Sequence, residues 1–136
     1  MKFVLFFVRL SPPALLRWLV RWRFKTVLQQ APMSVVQALV SEPVLLLDVR
    51  TRDEFDAEHL AHAIHVIAPE AANRLIHDFL VATPHGRIVA YCTVGYRSAQ
   101  FAEHMASVGC AHVENLEGGI WAWTAAGQPI IRAAPS

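Results

Sequence analysis

The sequence predicts an α/β fold, a doubly wound parallel sheet flanked by helices. From residue 33 onward, short apolar runs alternate with stretches of helical periodicity. Two of the runs, "VLLLDV" at 44–49 and "RIVAYC" at 87–92, are apolar almost without a break, the pattern of strands buried on both faces. Residues that start or stop elements separate them: Thr51, Pro69, Gly109 and the Gly118-Gly119 pair. At 136 residues and 54% hydrophobic content, the chain suits one domain with a core of its own.

The chain opens with "MKFVLFFVRLSPPALLRWLVRWRFKTV", which is both apolar and basic. Arg9, Arg17, Arg21 and Arg23 interrupt it and Pro12-Pro13 divides it. A central arginine costs about 2.5–3.5 kcal/mol on insertion scales, so a spanning helix is not expected. A secretory signal fits poorly, because "FVLFFV" is short and no small-residue cleavage site follows. What remains is a helix from about Ala14 to Leu28, with Trp18 and Trp22 four apart among arginines, a composition suited to a membrane interface. The alternatives are a helix packed on the domain and an extension upstream of a start at Met33. Residues 1–30 are thus read as a basic hydrophobic segment, and 33–132 as the domain.

Within the domain, "MSVVQALVSE" reads as a short helix capped by Ser34, and 44–49 as the first buried strand. Thr51-Arg52-Asp53-Glu54 matches a capping box that opens a helix through about Glu58. "AIHVI" is the next strand. Pro69 takes the first position of a helix whose apolar stripe is Leu75, Ile76, Phe79 and Leu80. "RIVAYC" is a strand, Ala99 to Val108 a helix, and Gly109 its C-terminal cap. His112 to Leu116 is a strand, Glu117-Gly118-Gly119 a turn, and "IWAWTAA" a last short helix ended by Gly127. There is no internal repeat and no second domain.

Charge narrows the function. The net charge is +1, but six of the twelve Lys/Arg lie in residues 1–30 beside no acid, while the other six share the domain with all eleven Asp/Glu. An acidic domain offers no broad basic face, which argues against nucleic acid as a partner. The basic segment suits peripheral membrane contact through residues 1–30. Two cysteines, Cys92 and Cys110, make neither a disulfide framework nor a metal-ligand pattern, and none of the seven histidines falls in an HExxH arrangement. No metal is expected, and a reducing, cytoplasmic compartment is.

The chemistry concentrates in "YCTVGYRS", residues 91–98. Cys92 ends a strand, where ligands gather in doubly wound sheets, and begins a loop that feeds a helix. Successive backbone N–H groups in such a loop form an anion-binding nest, and the helix dipole adds positive charge; both favour thiolate over thiol. Gly95 lets the tight loop adopt positive φ. Arg97 sets a permanent cation at its far end, suited to an oxyanion.

Residues 33–132 resemble the single-domain rhodaneses, a sulfurtransferase family. Three segments carry the resemblance in order and spacing: "LLLDVRTRDEFDAEHL", "IVAYCTVGYRS" and "NLEGGIWAWTAAGQPI". The resemblance implies a rhodanese-like fold and an active-site loop from Cys92 to Arg97. Cys92 would be the nucleophile and carry a persulfide, with the backbone amides of Thr93, Val94, Gly95, Tyr96 and Arg97 cradling the transferred sulfur. Asp48, Arg50, Glu54, His59 and Ser98 would support the site, with Glu54 paired to Arg50 and Phe55 packed. Trp121 and Trp123 would be core. A small anionic sulfur donor such as thiosulfate and an acceptor thiol, sulfur-acceptor protein or cyanide are the implied partners, and no cofactor is required. Two features depart from the family. "EHLAHA" stands where it commonly reads Gly-His-Ile-Pro-Gly-Ala, so the turn beside the site is expected to differ, and His62 is strained if its position demands positive φ, which His tolerates better than most residues. The loop interior "TVGY" matches neither a thiosulfate-type nor a mercaptopyruvate-type loop. Two other functions fit a Cys–loop–Arg pattern. Cysteine phosphatases of related fold have a loop one residue longer, wide enough for phosphate. A rhodanese-like domain can also serve as a binding or persulfide-carrying regulatory module without turnover.

Overall fold

A computed structural model describes residues 12–110 and 112–134. Its centre is a five-stranded parallel sheet built from β1 (Gln29–Gln30), β2 (Val44–Asp48), β4 (Ile64–His65), β5 (Arg87–Tyr91) and β6 (Val113–Leu116), in the order β1-β6-β5-β2-β4. β3 (Glu58–Leu60) pairs antiparallel with β7 (Ile130–Arg132) in a separate two-stranded sheet. In register, Asp48 lies opposite Tyr91, so β2 and β5 end together and their following loops share one edge.

Side chains alternate across the sheet with the period of a strand. Leu45, Leu47, Ile88 and Ala90 face one core with Val20, Phe24 and Val27, with Ala72 and Ile76 of α4 (Pro69–Ala82), and with Ala99, Ala102 and Met105 of α5 (Tyr96–Ser107). Leu46, Val89 and Tyr91 face the other, with Val35 of α2 (Pro32–Ser41) and with Ile120 and Trp123 of α6 (Gly119–Ala125). Both faces of the sheet are thus covered by helices, as the near-continuous apolar strands require.

Residues 12–30 join this packing. α1 (Pro12–Arg23) turns Leu16 and Val20 inward, and Phe24, directly after it, is fully buried. Arg21 forms a two-pronged ion pair with Glu117 at 2.6 and 2.7 Å. The core therefore includes residues ahead of Met33, which is the packed-helix alternative. The apolar run at 3–8 and the charges of Lys2 and Arg9 lie outside the described residues. Among the described residues, no helix is long and apolar enough to cross a membrane.

Three local features differ from the sequence expectations. Ala31, not Ser34, is the N-cap of α2: Pro32 already has the fixed φ that a first helical residue needs, which leaves Ser34 inside the first turn. α5 starts at Tyr96, three residues before Ala99, because Gly95 at φ 101° serves as its N-cap. Trp121 is 66% exposed while Trp123 is 4% exposed, so only one of the two is core. Residues two apart on a helix lie about 200° around it, and α6 has a single buried face. The capping box does form: the Thr51 hydroxyl accepts from Glu54 N–H and the Glu54 carboxylate accepts from Thr51 N–H. The helix it opens, α3 (Arg52–Ala57), is followed directly by β3. His62 adopts φ 67°, the only positive φ among the described non-glycine residues.

Candidate active site

Cys92 follows β5 at the carboxyl edge of the sheet and is fully buried. Its Sγ accepts a hydrogen bond from Gly95 N–H at 3.1 Å, and Ser98 Oγ lies 3.3 Å away. Because α5 begins at Tyr96, Arg97 and Ser98 belong to its first turn, and the cysteine faces the positive end of a twelve-residue helix.

The loop owes its shape to elements distant in sequence. At the start of α6, Ile120 N–H donates to the Cys92 carbonyl at 2.9 Å and Trp121 N–H to the Thr93 carbonyl at 3.2 Å. Gly119 makes this approach possible, since a Cβ there would collide with the Cys92 and Thr93 carbonyls. Asn115 of β6, itself fully buried, donates from Nδ2 to the Gly95 carbonyl at 3.0 Å and to Gln29 Oε1 at 2.8 Å, and its Oδ1 accepts from the Ser98 hydroxyl. A planar trans peptide points its C=O and its following N–H in opposite directions. With the Cys92 and Thr93 carbonyls drawn to α6, the Thr93 and Val94 N–H groups point away from it; with the Gly95 carbonyl held by Asn115, Tyr96 N–H points away from β6.

Arg97 closes the loop mouth and does not stand free. Its two terminal nitrogens donate to Glu54 at 2.8 and 3.0 Å, and one also donates to Thr93 Oγ1 at 2.9 Å. The Thr93 hydroxyl in turn donates to Glu54 Oε2 at 3.1 Å. Hydrogen bonding from Arg97 holds the Glu54 carboxyl far below the usual carboxylate range, and the same bonds raise the Arg97 pKa. The expected Glu54–Arg50 pair is therefore corrected to Glu54–Arg97. Arg50 turns back on Asp48, with Nε at 3.1 Å from Oδ1 and a terminal nitrogen at 2.8 Å from Oδ2, and it also donates to the Glu58 carbonyl. Burial works against the Arg50 charge, but the hydrogen bonds and charge of Asp48 outweigh it and leave the pKa raised. Asp48 is wholly buried and Arg50 is 5% exposed.

The remaining expected residues fall around this centre. His59 places Nδ1 2.8 Å from the Phe55 carbonyl and stacks on the Phe55 ring at 3.9 Å, so it braces α3 rather than the sulfur. Tyr96 meets Phe24 edge-on at 5.2 Å, linking the loop to the N-terminal segment. Val94 borders an apolar cavity of about 230 Å³ between Leu16, Trp121 and Ala122. Cys110 is half-buried against the first core, where burial pushes its thiol pKa up. No cluster of three His, Cys, Asp or Glu among the described residues could hold a metal ion. The sequence reading missed Asn115 and the hydroxyl of Thr93. A signal for Asn115 existed: an amide between the apolar residues of a buried strand needs partners.

The sequence of residues 32–126 matches the model of a family described as Rhodanese-like domain. A protein named sulfurtransferase from Allochromatium vinosum is 36% identical over 92 residues, which cover 67% of this chain and 81% of that protein. An uncharacterized protein of Synechocystis is 31% identical over 102 residues, 75% of this chain and 55% of its own length. Among solved structures, a thiosulfate sulfurtransferase from Pseudomonas aeruginosa superposes with a TM-score of 0.73 at 24% identity, over 90% of this chain and 23% of that one. The chain thus spans about half of the Synechocystis protein and about a quarter of the Pseudomonas structure.

Proposed function

The chain belongs to the rhodanese-like domain family, and from that premise we propose that it is a sulfurtransferase that carries a sulfane sulfur on Cys92. The observation that carries the reading is the loop's polarity. Its carbonyls at Cys92, Thr93 and Gly95 are tied outward by α6 and Asn115, Gly95 N–H bonds to Sγ, and a helix N-terminus lies behind. Such a loop favours negative charge on sulfur and binds an anionic sulfur beyond it.

In the first half-reaction, the Cys92 thiolate attacks the outer sulfur of an anionic donor such as thiosulfate. A Cys92–sulfur bond forms, the donor's S–S bond breaks, and sulfite leaves with the electron pair. The loop N–H groups of Thr93 to Arg97 receive the persulfide charge. In the second, an acceptor thiol or cyanide attacks the outer sulfur and Cys92 departs as thiolate. Asp48, Arg50, His59 and Ser98 hold the frame, and the chemistry uses no metal or organic cofactor.

Intact mass after exposure to thiosulfate tests this. The expected result is a gain of one sulfur that reduction removes and Cys92→Ser lacks, along with loss of thiosulfate-to-cyanide turnover in that variant. Turnover retained in folded Cys92→Ser overturns the mechanism. Persulfide formation without turnover would favour the regulatory module instead.

The outer face of α1 adds a proposal about location. Trp18, Leu19 and Trp22 are 44, 43 and 58% exposed on the side opposite Leu16 and Val20, and residues 12–30 hold four cations and no acid. We propose that this face rests on an anionic membrane surface, where tryptophan sits at the headgroup level and each cation beyond Arg21 and Arg23, which pair with Glu117 and Glu103, contributes about 1 kcal/mol. The full-length chain should co-sediment with phosphatidylserine vesicles at low salt and not with phosphatidylcholine vesicles. Trp18→Ser with Trp22→Ser should release it. Equal sedimentation with both lipids, or none, overturns the proposal.

A further inference from the structure

The commitment of Arg97 to Glu54 bears on which donor the site accepts. Glu54 is fixed from both sides. Its Oε1 accepts from Thr51 N–H, the Thr51 hydroxyl and Arg97, and its Oε2 accepts from Arg97 and the Thr93 hydroxyl. A carboxylate held by five hydrogen bonds across α3, the loop and α5 cannot swing aside as a donor arrives. It is also at the surface, with its side chain 34% exposed against 43% for Arg97. A donor reaching the mouth therefore meets a compensated pair rather than a free cation. The other arginine at this edge, Arg50, is compensated by Asp48 in the same way. What remains to attract an anion is the set of loop N–H groups, the α5 dipole and a lesser attraction between Arg97 and the Cys92 sulfur, all aimed at the transferred sulfur itself.

These charges discriminate between donor classes. Thiosulfate is a small dianion whose sulfonate must sit near the loop mouth while its outer sulfur reaches Cys92. A persulfide in its R–S–SH form brings no charge to that position. We infer that Glu54 sets donor specificity, disfavouring small dianions such as thiosulfate and favouring persulfides of low charge. The inference rests on the proposed sulfurtransferase reading. With a persulfide, the Cys92 thiolate attacks the terminal sulfur and the R–S–S bond breaks. R–S⁻ leaves with the electron pair and takes up a proton, and the sulfur stays on Cys92 with no net oxidation.

Glu54→Gln isolates the charge, because glutamine also serves at the third position of a capping box and keeps an oxygen for Thr51 and Arg97. The rate at which full-length protein gains one sulfur on Cys92, read by intact mass in a single turnover, is compared for thiosulfate and for 2-hydroxyethyl persulfide. Removing one charge close to a dianion raises the thiosulfate-to-persulfide rate ratio by about tenfold. Thiosulfate loading of the variant also falls more steeply with salt than that of the wild type. The reverse variant, Arg97→Gln, leaves the carboxylate uncompensated and lowers the ratio by about tenfold on the same reasoning. A ratio that does not move in either variant overturns the inference while leaving Cys92 as sulfur carrier. Both rates falling together in Glu54→Gln would assign Glu54 to holding the loop, and also overturns it. Failure of the wild type to gain sulfur from either donor overturns this inference together with the sulfurtransferase reading.

Discussion

Two arginine–carboxylate pairs stand at the carboxyl edge of the sheet and share one chemistry in different surroundings. Arg50 and Asp48 are sealed behind β2, with side chains 4 and 0% exposed; Arg97 and Glu54 sit at the loop mouth, 43 and 34% exposed. The inner pair is held by the backbone as well, since Arg50 N–H also bonds to Asp48 and the guanidinium reaches the Glu58 carbonyl. Taking both charges out of water makes each depend on the other, so the inner pair specifies structure. The outer pair gives up little solvation and is screened by solvent, so its worth lies in the charge it presents to a substrate. Burial, not residue type, separates scaffold from site.

The largest expected effect lies at Asp48. Asp48→Ala leaves a buried guanidinium uncompensated and should cost about 3–5 kcal/mol in urea unfolding. A loss below about 1 kcal/mol would put the inner pair on the footing of a surface one. Next is the same substitution made at both arginines. Arg97→Lys loses the fork that covers both Glu54 oxygens and should lower thiosulfate kcat/KM by up to about tenfold, because the less compensated carboxylate repels the dianion, while stability moves by less than about 1 kcal/mol. Arg50→Lys should do the reverse, losing about 2 kcal/mol of stability as buried acceptors lose their donor fork. Similar losses at the two positions would erase the distinction.

Acid gives a smaller effect. Glu54 has a depressed pKa in the folded state, so its stabilisation is present above the carboxylate range of the unfolded chain and is lost as pH falls through the folded value. The Tm difference between wild type and Glu54→Gln should therefore shrink steadily below about pH 4. A difference constant from pH 7 to pH 2 would mean that the carboxylate charge contributes nothing to folding. Salt gives the smallest effect. Raising NaCl to about 1 M shortens the screening length to about 3 Å and should reduce the Glu54→Gln Tm difference, leaving that of Asp48→Ala nearly intact.

Much of the fold could be read from apolar runs and punctuation, because local rules govern those positions. "VLLLDV" and "RIVAYC" could only be buried strands, and Thr51 and Glu54 formed the capping box their spacing requires. Partner choice was less legible. Arg50 is four residues from Glu54 in sequence and Arg97 is forty-three away, yet the buried Asp48 claims Arg50 and leaves Glu54 to Arg97. The β3–β7 pair was missed because three-residue strands joined across some seventy positions leave no periodic signal. The loop motif marked Cys92, Gly95 and Arg97, but the groups that shape the loop, Asn115 and the start of α6, reach it only through the tertiary fold. The exposure of Trp121 was within reach, since residues two apart on a helix lie about 200° around it and a helix covering one face of a sheet buries a single side.

The pairing of β1 with β6 also has a consequence for biosynthesis. Gln29 lies opposite Asn115 in register, and their side chains bond across 86 positions of sequence. Synthesis at about 5–20 residues per second leaves an interval on the order of ten seconds between the appearance of the two strands. Early in that interval Val20, Phe24 and Val27 lack the core that later covers them, while Trp18 and Trp22 are exposed. The nascent helix is then apolar on both faces and cationic along its length. Vectorial translation thus exposes this helix to capture by a chaperone or a lipid surface before the rest of its core is made. Closure of the β1 edge, with its long loop-closure entropy, is expected late in folding.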